Sequence, residues 1–127
     1  MNVNKVIEGT KEYLFQSIDS MAETDFGISL LRPLIKTGIN NKFYKIEETL
    51  KFVADKDNNI DVNKFIDDTI ASVLNGKKGN LPVGEIATIQ FGDNAITIVI
   101  PFINRYFKFD SKDFIKFKNY LIEHYGN

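Results

Sequence analysis

The chain has 127 residues, 43% of them hydrophobic and none of them cysteine, which suits one compact domain whose core needs no disulfide. Its 16 basic and 17 acidic residues give a formal net charge of −1, without the basic surplus of a general nucleic-acid binder. With no cysteine and one histidine, thiol nucleophiles, zinc fingers and disulfide scaffolds are excluded. We see neither a membrane-spanning apolar run nor a signal peptide. We therefore expect a cytoplasmic protein, with a place in a virion as the alternative.

The first half of the sequence has the spacing of amphipathic helices. Val3, Ile7 and Leu14 belong to an apolar repeat of three and four residues that predicts a first helix. Pro33 limits the second helix because proline is tolerated only in a helix's first turn, and Gly38 predicts its end. The four predicted helices span residues 3–22, 29–37, 40–53 and 62–75.

The hydrophobic period then changes from 3.6 to 2. Residues 76–84 are rich in glycine and lysine and contain a proline, which predicts a linker. The following segment, EIATIQFGDNAITIVIPF, predicts a β-hairpin with a two-residue turn at Asp93 and Asn94. Pairing Gly92 with Ala95 places the isoleucines on one face. The opposite face of the hairpin carries Thr88, Gln90, Thr97 and Val99.

A third strand follows at YFKFD. Pairing Phe102 with Phe107 predicts a four-residue loop at 103–106. With this loop the backbone of Pro101 faces the first strand near that strand's beginning, so its missing N–H costs little. The same alternation places Phe102 in the core. A last helix over 111–125 begins after a cap at Asp110 or Ser111.

The predicted fold is therefore α+β: about four helices, a three-stranded antiparallel β-meander and a C-terminal helix. We expect a single domain over the whole chain. Its parts are a helical half over 1–75, a linker over 76–84, and the meander with its helix over 85–127.

The segment DKDNN resembles the start of an EF-hand calcium loop, because Asp55, Asp57 and Asn59 alternate as its first ligands do. Glycine is required at the sixth position and glutamate at the twelfth, but this chain has Ile60 and Ile66 there. A turn followed by a helix cap at Asp61 explains the same residues. Calcium held by the oxygen-bearing side chains remains the alternative, and its ligands would be Asp55, Asp57, Asn59 and Asp61.

No constellation of residues indicates catalysis. The pairs Glu47-Glu48 and Asp67-Asp68 are adjacent on helices, so their side chains point about 100° apart and cannot form a facing dyad. His124 lies near a helix end, where a solvated histidine meets the negative end of the helix dipole. We therefore predict a small non-enzymatic binding or assembly module, of the kind found among phage and mobile-element accessory proteins. A calcium-binding structural or sensor protein and a small enzyme with a carboxylate site not visible in the sequence remain alternatives.

The predicted partner is another protein or a second copy of the chain, rather than a membrane or a nucleic acid. An uncharged edge strand over 86–91 could accept a partner strand, and the wide apolar stripe of helix 3–22 could serve a dimer. The candidate contact residues lie on the second face of the sheet and at its exposed tip: Thr88, Gln90, Thr97, Val99, Arg105 and Tyr106.

We predict that Asp61→Ala lowers the free energy of unfolding by about 1 kcal/mol, because the helix that starts at Val62 loses its N-terminal cap. Thermal or denaturant unfolding of the variant measures this difference. An unchanged melting temperature would contradict the assigned cap.

Overall fold

The computed structural model describes residues 1–76, 78–83 and 87–126. The chain is α+β, with four helices and a four-stranded antiparallel sheet in this part. It folds as two compact units, the first formed by residues 1–62 with 120–127 and the second by residues 63–119. None of the helices in the described ranges is long and apolar enough to cross a membrane.

The first unit is built around two long helices that pack on each other, α1 (Val3–Ala22) and α2 (Phe26–Val53). Each begins at a side-chain cap. The Oδ1 atom of Asn2 accepts from the backbone N–H of Asn4 at 2.8 Å, and Oδ1 of Asp25 accepts from the N–H of Ile28 at 3.1 Å. Such caps satisfy N–H groups that have no partner within the helix.

The prediction of two helices over 29–37 and 40–53 was wrong, because α2 is one continuous helix that contains both Pro33 and Gly38. Contacts with α1 on both sides of the proline explain the continuity. The carboxylate of Asp19 lies 3.6 Å from the Arg32 guanidinium and 2.7 Å from the Lys36 ammonium. These pairs are partly exposed and individually weak, so packing against α1 supplies the stabilisation that offsets the hydrogen bond lost at Pro33.

The end of α4 (Ser111–Tyr125) belongs to the first unit and crosses α1 at Gly9. A Cβ atom at Gly9 would lie 2.6 Å from Cδ2 of Leu121 and 3.0 Å from the ring of Tyr125. Leu121 is fully buried and cannot move aside freely. A side chain at this position would therefore overpack the close approach of the two helices.

The second unit contains nearly all of α3 and the whole sheet. Helix α3 has the predicted bounds, and Asp61 stands directly before it. The sheet is a meander with the strands in sequence order. The elements are α3 (Val62–Asn75), β1 (Gly79–Val83), β2 (Ala87–Gly92), β3 (Ala95–Ile100) and β4 (Arg105–Phe109).

The predicted hairpin register between β2 and β3 is confirmed. Gly92 pairs with Ala95, and four further pairs continue in the same register. Asp93 and Asn94 both have positive φ, at 56° and 60°, which is the conformation of a type I′ turn. Because that turn matches the twist of the strands, it specifies the register together with the apolar face.

The predicted linker was wrong, because Gly79–Val83 forms strand β1 and pairs with β2 along its whole length. Residues 77 and 84–86, which include parts of the predicted linker and edge strand, lie outside the described residues. Pro82 is compatible with a strand at the sheet edge, where its lack of an N–H is tolerated. The sequence did not indicate this strand, because it contains glycine and proline and only Leu81 and Val83 alternate as strand residues do.

The predicted loop between the last two strands was also wrong. Pro101–Ile103 forms a 3₁₀ turn and Asn104 follows with φ of 53°. The chain therefore turns at residues 101–104, before the predicted loop at 103–106. Ile98 pairs with Phe107, which shifts the register by an even number of residues and leaves each side chain on its predicted face. Pro101 begins the turn, where no N–H is needed. Phe102, expected in the core, is 81% exposed on this turn.

Helix α4 starts at the predicted cap. Oδ1 of Asp110 accepts from the backbone N–H groups of Lys112 and Asp113, and Oδ2 of Asp113 accepts from the N–H of Asp110 at 3.0 Å. This reciprocal arrangement is a capping box with aspartate at both positions. The hydrogen bond from the backbone of Asp113 is the main cause that lowers the pKa of Asp110.

Two glycines in the first unit allow a matched test of this packing. We predict that Gly9→Ala lowers the free energy of unfolding by about 1 kcal/mol, since overpacking against Leu121 exceeds the gain in helix propensity. Gly38→Ala, whose new Cβ would meet nothing within 4 Å, should raise it by about 0.5 to 1 kcal/mol. Denaturant unfolding checks both, and stabilisation by both substitutions would refute the close approach at Gly9.

Candidate functional site

In the aspartate-rich loop, residues 55–61, the side chain of Asp55 accepts hydrogen bonds from the loop's own backbone. Oδ1 of Asp55 accepts from the N–H groups of Asp57 and Asn59 at 2.9 and 3.0 Å. Asn58 adopts φ of 59°, and its carbonyl accepts from the N–H of Val3 at 2.8 Å. The loop therefore closes on itself and pairs with the beginning of α1.

These contacts bear on the calcium alternative. Both backbone hydrogen bonds of Asp55 fall on Oδ1, and the second carboxylate oxygen, Oδ2, can still accept a contact. Within the described ranges, no three Asp, Glu or His side chains lie together as a metal site needs. Calcium binding by Asp55, Asp57, Asn59 and Asp61 stays a prediction.

The predicted contact residues of the sheet are only partly brought together. Thr88, Val99 and Tyr106 form one row across β2, β3 and β4, and Gln90 pairs with Thr97 in the neighbouring row. Arg105 pairs with Ile100, so strand alternation places it on the opposite face.

The expected free edge is also covered, because β1 pairs with the strand that was to accept a partner. The edge strands of the described sheet are β1 and β4. Beside β1 lies an open hollow of about 400 Å³, lined by Lys78, Asn80, Gln90, Asp93 and Thr97 among others. Ligand pockets have comparable volumes but mostly apolar linings. The hollow is therefore a weak candidate for a small-molecule site.

A cluster of tyrosines around one carboxylate was not predicted. The phenol O–H of Tyr125 donates to Oε2 of Glu12, and the ring of Tyr120 lies 5.1 Å from that of Tyr13 and 4.3 Å from that of His124, between centroids. The Tyr120 hydroxyl oxygen is shielded from solvent. In the sequence these residues are far apart, and only the crossing at Gly9 brings them together.

The cluster is poorly suited to acid–base chemistry at neutral pH. The hydrogen bond to Glu12 raises the pKa of Tyr125 to about 12, and burial is the main cause that raises the pKa of Tyr120. General acids and bases work best when their pKa lies near the operating pH. We therefore interpret the cluster as a structural contact between α1 and α4.

The second unpredicted feature is a row of exposed apolar side chains on α2. Phe26 is 82% exposed and Phe52 is 88% exposed, and three further members lie between them. At 100° per residue they fall within an arc of about 80°, whereas the buried Ile28, Phe43 and Leu50 lie on the opposite side. We name this surface the outer stripe of α2, and its residues are Phe26, Leu30, Leu34, Tyr44 and Phe52.

A signal for the outer stripe was present in the sequence. Phe26, Leu30 and Leu34 are spaced four residues apart, which indicates one helical face. The division of the segment at Pro33 and Gly38 concealed this, because Phe26 lies before the helix that was predicted to begin at residue 29. Once α2 is one helix, it has two apolar faces and only one of them is buried.

Comparison of the chain with protein-family models, with curated proteins and with solved structures finds no match.

The tyrosine–carboxylate contact predicts a pH effect at alkaline pH. The pKa of Tyr125 is higher in the folded chain than the value near 10 of an unfolded tyrosine. Its stabilisation is therefore complete below about pH 10 and is lost as the pH rises towards 12. Tyr125→Phe should remove this part of the decline in unfolding free energy between those pH values.

Denaturant unfolding across the same pH range measures the difference between wild type and variant. Tyr44→Phe removes a hydroxyl from the exposed side of α2 and serves as the control. If the two variants lose stability identically with pH, the Glu12 contact does not stabilise the neutral phenol.

Proposed function

We propose that this chain is a small non-enzymatic binding module that acts in the cytoplasm through protein–protein contacts, with the outer stripe of α2 as its binding surface. The observation that supports the proposal is the exposure of five large apolar side chains on one face of one helix. Single exposed apolar residues are ordinary. A row of such side chains along one helix face, interrupted here by Thr37, Asn41 and Glu48, indicates a surface that a partner covers.

The energetics favour this surface over the sheet residues. Burial of a phenylalanine or leucine side chain contributes about 1.5 to 3 kcal/mol. In the sheet row, Thr88 and Val99 are already half-buried and Tyr106 alone is largely exposed, so covering the row would contribute less. An apolar helix face presented to a partner is also a recurrent mode of recognition.

The shape of the surface adds a further reason. Helix α2 has 28 residues, which corresponds to a length of roughly 42 Å. The two phenylalanines of the outer stripe stand near the two ends, with leucines and a tyrosine between them. A partner that follows the helix along its length would contact all of these side chains at once.

Site-specific photo-cross-linking in the native host tests the proposal. A photoreactive residue in place of Leu30 should give protein cross-links, because that position lies within the outer stripe. The matched control replaces Lys42, which is exposed on another side of the same helix, and should give few. Equal cross-linking at both positions, or none at Leu30, would contradict a binding role for the stripe.

A further inference from the structure

We propose that the occupant of the outer stripe is the same stripe of a second copy of this chain, with the two α2 helices antiparallel across a two-fold axis near Ile39. This inference rests on the proposed function. The observation that carries it is the symmetric placement of the stripe along α2. Phe26 and Phe52 are equally far from Ile39 in the chain, and so are Leu34 and Tyr44.

In an antiparallel two-fold pair, residues equally distant from the axis face each other. Phe26 of each copy would therefore pack on Phe52 of the other, and Leu34 on Tyr44. Such pairs are self-complementary, as a two-fold interface requires. Their contact at both ends of a helix this long needs a small crossing angle, about 20° as in coiled-coil packing.

The residues at the axis permit close approach of the two helices. Thr37 and Asn41 lie in the same arc as the stripe, also equally far from Ile39, and both have small side chains. Helix axes can then approach to about 8–10 Å. Polar residues at the centre also favour one register over alternatives, as in coiled coils.

The exposed area is close to what a stable dimer needs. At roughly 150 to 250 Å² for each aromatic side chain, the stripe exposes on the order of 650 Å² in each copy. A standard interface takes about 800 Å² from each partner, so the stripe and its flanking residues are sufficient for a reversible dimer.

One charged residue lies inside the surface. Glu48 falls in the same arc and would face Leu30 of the other copy, where burial of its carboxylate is unfavourable. It limits the affinity, and its removal should strengthen the pair. The dimer is therefore expected to dissociate on dilution.

Light scattering coupled to size-exclusion chromatography over a micromolar to millimolar range tests the inference. Wild type should pass from monomer to dimer, Phe26→Ser with Phe52→Ser should shift the midpoint at least tenfold upwards, and Glu48→Ala should shift it downwards. The control is Phe102→Ser, which removes an equally exposed phenylalanine from the 3₁₀ turn and should leave the midpoint unchanged. Circular dichroism confirms that each variant is folded.

The other outcomes overturn the inference in distinguishable ways. A dimer that persists in the double variant would place the interface elsewhere. A wild-type monomer at every concentration, together with cross-links from position 30 to a different protein, would refute self-association and leave the proposed function standing. A monomer without any cross-links from that position would overturn both.

Discussion

Helix α2 is the element on which the first unit depends, because it is a single helix across a proline and a glycine that usually end one. Its inner side packs on α1 and buries Ile28, Phe43 and Leu50. The same continuity brings Phe26 and Phe52 onto one outer face. A break at Pro33 would separate the two ends of that face, so the packing that holds the helix together also creates the exposed surface.

The remaining parts of the first unit brace this helix pair. The loop after α2 turns through Asp55 and Asn58 and pairs with the start of α1, so that Ile60 becomes buried. The end of α4 closes on Gly9, and Glu12 accepts the hydroxyl of Tyr125. Asp55 thus holds the backbone of its loop, and Glu12 joins α1 to α4. The side chains of the outer stripe are exposed instead.

Much of the fold could be predicted from periodicity alone. Helices α1, α3 and α4 and the β2–β3 register follow from spacing, caps and turn chemistry, all of which act over a few residues. The misassigned segments depend on long-range packing. Asp19 contacts residues on both sides of Pro33. Pairing with β2 makes a strand of a segment that contains Gly79 and Pro82. The candidate site was missed for the same reason, because the outer stripe exists only when both halves of α2 form one helix.

Pulsed dipolar spectroscopy on spin-labelled single-cysteine chains tests the proposed antiparallel pairing of two α2 helices. The chain has no cysteine of its own, so each label occupies one defined position. Antiparallel pairing predicts an axial separation of about 3 Å between labels at Asn40 and about 30 Å between labels at Thr49. Equal short distances at both positions, or no dipolar coupling at either, would contradict the antiparallel pairing.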